Sequence, residues 1–194
     1  LSTALNALQC IGISGPVTLN VAPGLSPTNG QFILNAITGA SATNTITING
    51  NGAVLEFLSV NTNERATLKL DGSSHWTFNN MTFKALGSLT GQFGYCVQLM
   101  NGANHNTFDN CIFEANTTST STNFAGLVGS NSATAATTAG LSASHLRVTN
   151  SSFIGGYYGI ALNGPSSSPY SDSNIIENNI FEDYYFYGAY LRGL

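Results

Sequence analysis

His75-Trp-Thr-Phe-Asn-Asn-Met-Thr-Phe83 is followed by three variants of itself: His105-Asn-Thr-Phe-Asp-Asn-Cys-Ile-Phe113, His145-Leu-Arg-Val-Thr-Asn-Ser-Ser-Phe153 and Ser173-Asn-Ile-Ile-Glu-Asn-Asn-Ile-Phe181. Each copy sets an apolar residue two positions before an asparagine and a phenylalanine three positions after it. Aligned, the copies form the columns Phe78/Phe108/Val148/Ile176, Asn80/Asn110/Asn150/Asn178 and Phe83/Phe113/Phe153/Phe181. Units this short cannot enclose a core alone and acquire one by stacking. If each copy is one coil of a solenoid, equivalent residues lie about 4.8 Å apart along its axis. The apolar columns then make a continuous core, and the asparagine amides bond to one another in a ladder. Asparagine also tolerates the left-handed backbone of a tight corner.

A second pattern precedes these copies: Ala66-Thr-Leu-Lys-Leu-Asp-Gly72, Cys96-Val-Gln-Leu-Met-Asn-Gly102, Tyr158-Gly-Ile-Ala-Leu-Asn-Gly164 and Tyr187-Gly-Ala-Tyr-Leu-Arg-Gly193. Each reads as a short strand ending at a glycine turn. Successive final phenylalanines are 30, 40 and 28 residues apart, which is the unevenness of a natural solenoid that grows loops between fixed strands. Two such excursions are rich in small polar residues: 117–139, interrupted by Phe124-Ala-Gly-Leu-Val-Gly129, and 165–173. Both fall between the glycine strand and the asparagine-corner strand, where they would form a rim over one face. Loops held on a rigid scaffold are common places for function.

Upstream, Gly15–Gly24, Gln31–Asn35 and Asn44–Gly52 read as strands of degenerate early coils. Residues 1–10 carry apolar side chains at helical spacing and would cap the open N-terminal end of the core. The expected architecture is all-β: one right-handed parallel β-helix spanning 1–194, with a short N-terminal capping helix. At the other end Leu194 falls within a coil, and an uncapped strand edge associates readily. The natural chain is therefore expected to continue, or this end to associate with another copy.

Composition narrows the function classes. Only 7% of residues are charged and the formal net charge is −4, so a nucleic-acid surface has almost no raw material. With 42% hydrophobic residues and a polar remainder of Asn, Thr, Ser and Gly, the chain reads as a polar-coated β protein. No apolar run approaches the roughly 18 residues of a membrane span. Cys10, Cys96 and Cys111 have no zinc-type spacing. They read as small buried hydrophobes, with a Cys96–Cys111 bridge as the alternative.

The asparagine corners, together with Ala4-Leu-Asn-Ala-Leu8 and Gly15-Pro-Val-Thr-Leu-Asn-Val-Ala-Pro-Gly24, resemble the right-handed parallel β-helices of the pectate-lyase-like superfamily. More narrowly they resemble secreted surface proteins of Bacteroidetes-type bacteria. The match departs at Leu25–Gly30, where that family continues into a Tyr- and Glu-containing strand. The resemblance implies export to the cell surface and a polysaccharide or cell-surface glycan as partner. Lyases of that superfamily hold calcium in an acidic cluster, and its hydrolases use groups of aspartates.

Neither signature stands out here. Of the nine acids only Glu182 and Asp183 are adjacent, and no calcium-loop spacing occurs. Asp109 and Glu177 share a column two coils apart, about 9.6 Å, near the upper end of the separation of an inverting carboxylate pair. They are the residues an enzyme would use, and calcium would enter only with a lyase. The column His75/His105/His145 reads as turn residues bonding the loop backbone, not as a metal site. For ligand contact the candidates are Tyr158, Tyr170, Tyr185 and Tyr187, because aromatic faces pack on sugar C–H groups. Lys69 and Asp71, on one face of one strand, join them. The expected function is a non-catalytic extracellular module, structural or adhesive and carbohydrate-binding. A lyase or hydrolase fragment is the alternative, and a fibre subunit associating end to end is the third reading.

Overall fold

The computed structural model describes residues 1–23 and 30–194 and shows a parallel β-solenoid of six coils with one N-terminal helix. Each coil presents up to three faces. Face one stacks β1 (Val17–Asn20), the start of β3 (Ile46–Phe57), the start of β5 (Trp76–Ala85), β7 (Thr107–Asp109), β10 (Arg147–Thr149) and β13 (Ile175–Glu177). Face two continues β3 and β5 past their corners and adds β8 (Ile112–Glu114), β11 (Ser152–Ile154) and β14 (Ile180–Glu182). Face three is β2 (Phe32–Asn35), β4 (Ala66–Asp71), β6 (Gly94–Met100), β9 (Phe124–Gly129), β12 (Tyr158–Asn163) and β15 (Tyr187–Arg192).

The apolar columns align in the structure. Phe78 pairs with Phe108, Phe108 with Val148 and Val148 with Ile176; Phe83, Phe113, Phe153 and Phe181 run in parallel on face two. The rings stack through the core, with Phe113 and Phe153 4.3 Å apart and Phe153 and Phe181 5.0 Å apart. Left-handed residues bracket the later strands of face one: His75 and Asn80, His105 and Asn110, His145 and Asn150, Ser173 and Asn178 all have φ between 50° and 65°. These residues make the corners. At the inner corners a side chain of one coil accepts the backbone N–H of the coil before it. Trp76 donates to Asn106 Oδ1 (3.0 Å), Leu146 to Asn174 Oδ1 (2.9 Å) and Ser151 to Asn179 Oδ1 (2.9 Å). Buried backbone donors are thereby satisfied where the ladder breaks.

Amide-to-amide bonding runs one position before the expected column. Asn79 donates to Asn49 (3.1 Å) and Asn49 to Asn20 (2.8 Å), whereas Asn80, Asn110, Asn150 and Asn178 are exposed at left-handed corners. The physical reason is direction: a left-handed residue turns its side chain out of the pleat, while the strand residue before it stands over its neighbour. Of the glycine-ended strands, Tyr158–Gly164 and Tyr187–Gly193 pair in the aligned register, whereas the Cys96–Gly102 copy is offset by one residue, since Ala66 pairs with Tyr95 and not with Cys96.

Helix α1 (Ser2–Ile11) lays Leu5 into the core beside Val21 and Leu34, with Leu1 and Leu8 against it, and ends at Gly12 with φ 75°. Of the departure at Leu25–Gly30, all but Gly30 lies outside the described residues. The segment 117–139 is not one excursion. Phe124–Gly129 is β9, buried at all six positions and paired with β6 and β12. Residues after it fold back over the outside of face three, where Gln98 Nε2 donates to the Ser132 carbonyl (2.7 Å). There Ala66, Tyr95, Ala125, Val128, Ala136, Tyr158 and Ala161 form a second apolar cluster, so most of face three is buried on both sides.

Cys96 and Cys111 are buried free thiols and Cys10 is an exposed one. Burial pushes the Cys111 thiol up to about 12 and the Cys96 thiol higher still. Among the described residues no helix is long and apolar enough to cross a membrane.

Candidate functional site

The acid column sits on the outer side of face one. Asp109 pairs with Thr149 and Thr149 with Glu177, so the two carboxylates stand two coils apart. Asp109 accepts hydrogen bonds from Thr149 Oγ1 (2.6 Å) and Asn150 Nδ2 (2.8 Å). These two bonds hold its carboxyl below the usual carboxylate range, against a small opposing effect of burial. Glu177 is in an ion pair with Arg147 at 3.0 Å. A general acid needs a raised pKa, and Asp109 is shifted the other way.

The histidine column marks the corner leading into face one. His75 and His105 stack with ring centroids 4.8 Å apart, and His145 meets His105 edge-on at 4.2 Å. Among the described residues no three His, Cys, Asp or Glu side chains group as metal ligands. Desolvation lowers the pKa of His75, and desolvation followed by the neighbouring His145 and His75 lowers that of His105. Asp172 faces His145 at 3.5 Å. Depressed imidazole pKa values mean that the unfolded chain takes up protons first. Their stabilisation is full above about pH 6.5 and is lost as pH falls below it. The melting temperature is therefore expected to fall between pH 7.5 and about pH 5.5, before ordinary carboxylates titrate. The double variant His75→Asn/His105→Asn keeps residues that tolerate a left-handed corner and should flatten that slope in thermal scans.

The ligand-contact candidates are divided by the structure. Lys69 and Asp71 form an ion pair at 2.9 Å on β4, and Asn101 Nδ2 adds a bond to Asp71 at 2.5 Å. Burial raises the Asp71 pKa, but the Lys69 and Asn101 contacts together outweigh it and leave the carboxyl below its usual range. Face three places β4 four strands from β15, about 19 Å from the C-terminal tyrosines, so the pair does not share a site with them. Tyr158 is only 8% exposed and belongs to the outer apolar cluster, a correction to its reading as a contact residue. The cause is the sheet's second cover, which the strand pattern did not announce.

Tyr185 and Tyr187 are exposed, and Tyr187 lies parallel to Tyr158 at 6.3 Å and 5.9 Å from Tyr190. From there β15 leads along the outside of face three to Arg192, where a cleft of about 510 Å³ opens. It is lined by Thr137 and Ala139 from one loop, Pro165, Ser166 and Tyr170 from another, and Asn163 and Arg192 from the strands. Tyr170 is half exposed. Asn163 is 5% exposed and donates its amide to the Thr137 carbonyl, but its Oδ1 has no partner among the described residues. Ser171 Oγ, 1% exposed beside Gly164, is likewise unpartnered. A buried acceptor or hydroxyl left without a bond costs about 1–3 kcal/mol, and both atoms are shut off from solvent.

The sequence pointed to Tyr170 through its aromatic ring but missed Asn163 and Arg192. Both end glycine-turn strands, in the position preceding Gly164 and Gly193. That shared place in the repeat is the signal that would have found them. No family model matches the chain, and neither a curated protein nor a solved structure matches it.

Proposed function

We propose that the chain is a non-catalytic extracellular module that binds a glycan in the cleft between its two loops, with the tyrosines of β15 extending the contact. The observation that carries this reading is the meeting of Tyr170, Arg192 and Asn163 in one cleft. Tyr170 offers a ring face for sugar C–H groups and Arg192 offers hydrogen-bond donors, while Asn163 holds the Thr137 loop to the cleft wall through its amide. A polyhydroxylated ligand supplies the acceptors that Arg192 requires. A cell-surface location is part of the same proposal, supported by the resemblance of the sequence motifs to pectate-lyase-like β-helices and to secreted bacterial surface proteins.

A glycan array and a polysaccharide-degradation screen, run together with and without calcium, test the reading. Binding without new reducing or unsaturated ends is expected, with Tyr170→Ala or Arg192→Ala weakening it about tenfold. Product release abolished by Asp109→Asn or Glu177→Gln would make the chain a lyase or hydrolase instead.

A further inference from the structure

The outer side of face one carries an ordered array that neither the core nor the cleft uses. Where left-handed residues bracket a strand, as His75 and Asn80 or His105 and Asn110 do, only two side chains per coil stand outward. In four successive coils these are Thr18 and Asn20, Thr47 and Asn49, Thr77 and Asn79, and Thr107 and Asp109. Register places each pair over the next: Thr18 on Thr47, Thr47 on Thr77 and Thr77 on Thr107, with the amides in the adjoining column.

Three properties distinguish this array from an ordinary polar surface. The amide bonds from Asn79 to Asn49 and from Asn49 to Asn20 fix the orientation of one column, leaving further donor and acceptor capacity on each amide. The threonines are β-branched and stiff at χ1, and their four hydroxyls have no hydrogen-bond partner among the described residues. The first three rows bear no charge, and the fourth ends at Asp109, which is occupied by Thr149 and Asn150. Such a surface repeats its hydrogen-bonding groups about every 4.8 Å along the axis and about 6.6 Å across it. Little entropy remains to be lost when a ligand docks on groups already held in place.

We infer that this face docks an extended, uncharged polysaccharide strand lying along the solenoid axis, with one sugar opposite each coil. Charge matching excludes an acidic polymer, because the rows offer no cation before Arg147, itself paired with Glu177. A periodic occupant is required because only a repeating ligand can use equivalent groups in every row. The fully extended form of a neutral glycan advances by a similar step per sugar. The site is separate from the cleft and shares no residue with it.

Depletion of the purified chain by insoluble cellulose, chitin and β-1,3-glucan tests this, with polygalacturonate as the acidic comparison. At least one neutral polymer should remove the wild-type chain from solution. The double variant Thr47→Val/Thr77→Val keeps strand shape and removes two hydroxyls, so it should weaken that binding about tenfold while the melting temperature stays unchanged. Tyr170→Ala, which disarms the cleft, separates the two sites. Neutral-polymer binding kept in Tyr170→Ala and weakened in the threonine variant supports the array even if the cleft binds nothing. Four outcomes overturn the inference: no neutral polymer binds, only the acidic one binds, binding follows Tyr170 alone, or the chain shows thermal hysteresis of freezing without polymer binding. The last would assign the array to ordered water.

Discussion

Phe113→Ala is expected to destabilise the chain by about 3–5 kcal/mol. Phe113 has no exposed surface, stacks on Phe153 at 4.3 Å with planes 4° apart, and meets Phe108 and Phe83 at 5.7 and 5.5 Å. Removing the ring leaves a gap between two coils whose separation is fixed by backbone pairing on either side, so the neighbours cannot collapse into it. The adjacent Ile112 points outward and is 40% exposed. Ile112→Ala should therefore cost much less, about 1 kcal/mol or below. Urea denaturation of both variants checks the contrast, and equal losses would contradict the inward and outward assignment of face two.

Gly159→Val should cost about 3 kcal/mol or more, or prevent folding. Its Cβ would lie 2.5 Å from the Gly188 carbonyl oxygen and 2.7 Å from the Phe181 ring. Gly126 stands in the same column one coil earlier, and a Cβ there would approach the Gly159 oxygen to 2.4 Å. The column is therefore a line of close backbone approach across three coils, and a side chain in it must push apart strands paired along their length. Gly15→Ala is the matched control, because nothing lies within 4 Å of the added carbon and its φ is not left-handed. Its effect should stay within about 0.5 kcal/mol. Circular-dichroism melts of the two variants suffice to compare them.

Both predictions come from columns that were legible to different degrees. Phe83, Phe113, Phe153 and Phe181 were readable because a large apolar residue at a fixed distance from an asparagine is a pattern that loops cannot blur. Gly126, Gly159 and Gly188 were not, because glycine marks turns far more often than it marks close approach, and β9 looked like an interruption in a polar tract. Its six residues bury both sides, so they show no alternation to read. The asparagine column was seen, and its corner conformation follows from the residue type. Its amide bonding was misplaced by one position because sequence columns do not say which residue leaves the pleat.

The candidate site was legible only in part for a similar reason. Tyr170 lies in a loop that composition identified, whereas Asn163 and Arg192 reach it only because two loops from successive coils converge beside the ends of β12 and β15. Convergence across coils is a property of stacking and not of any local stretch. Tyr158 was misread because the outer cover of face three is built from a segment of alanine, threonine and serine that has no strong pattern of its own.

Glycan binding in the cleft is tested most directly by a crystal structure of the chain soaked with the oligosaccharide that binds best in the glycan array. The expected result is an intact sugar stacked on Tyr170, within hydrogen-bond reach of Arg192. A cleaved sugar lying between Asp109 and Glu177, with the cleft empty, would contradict it.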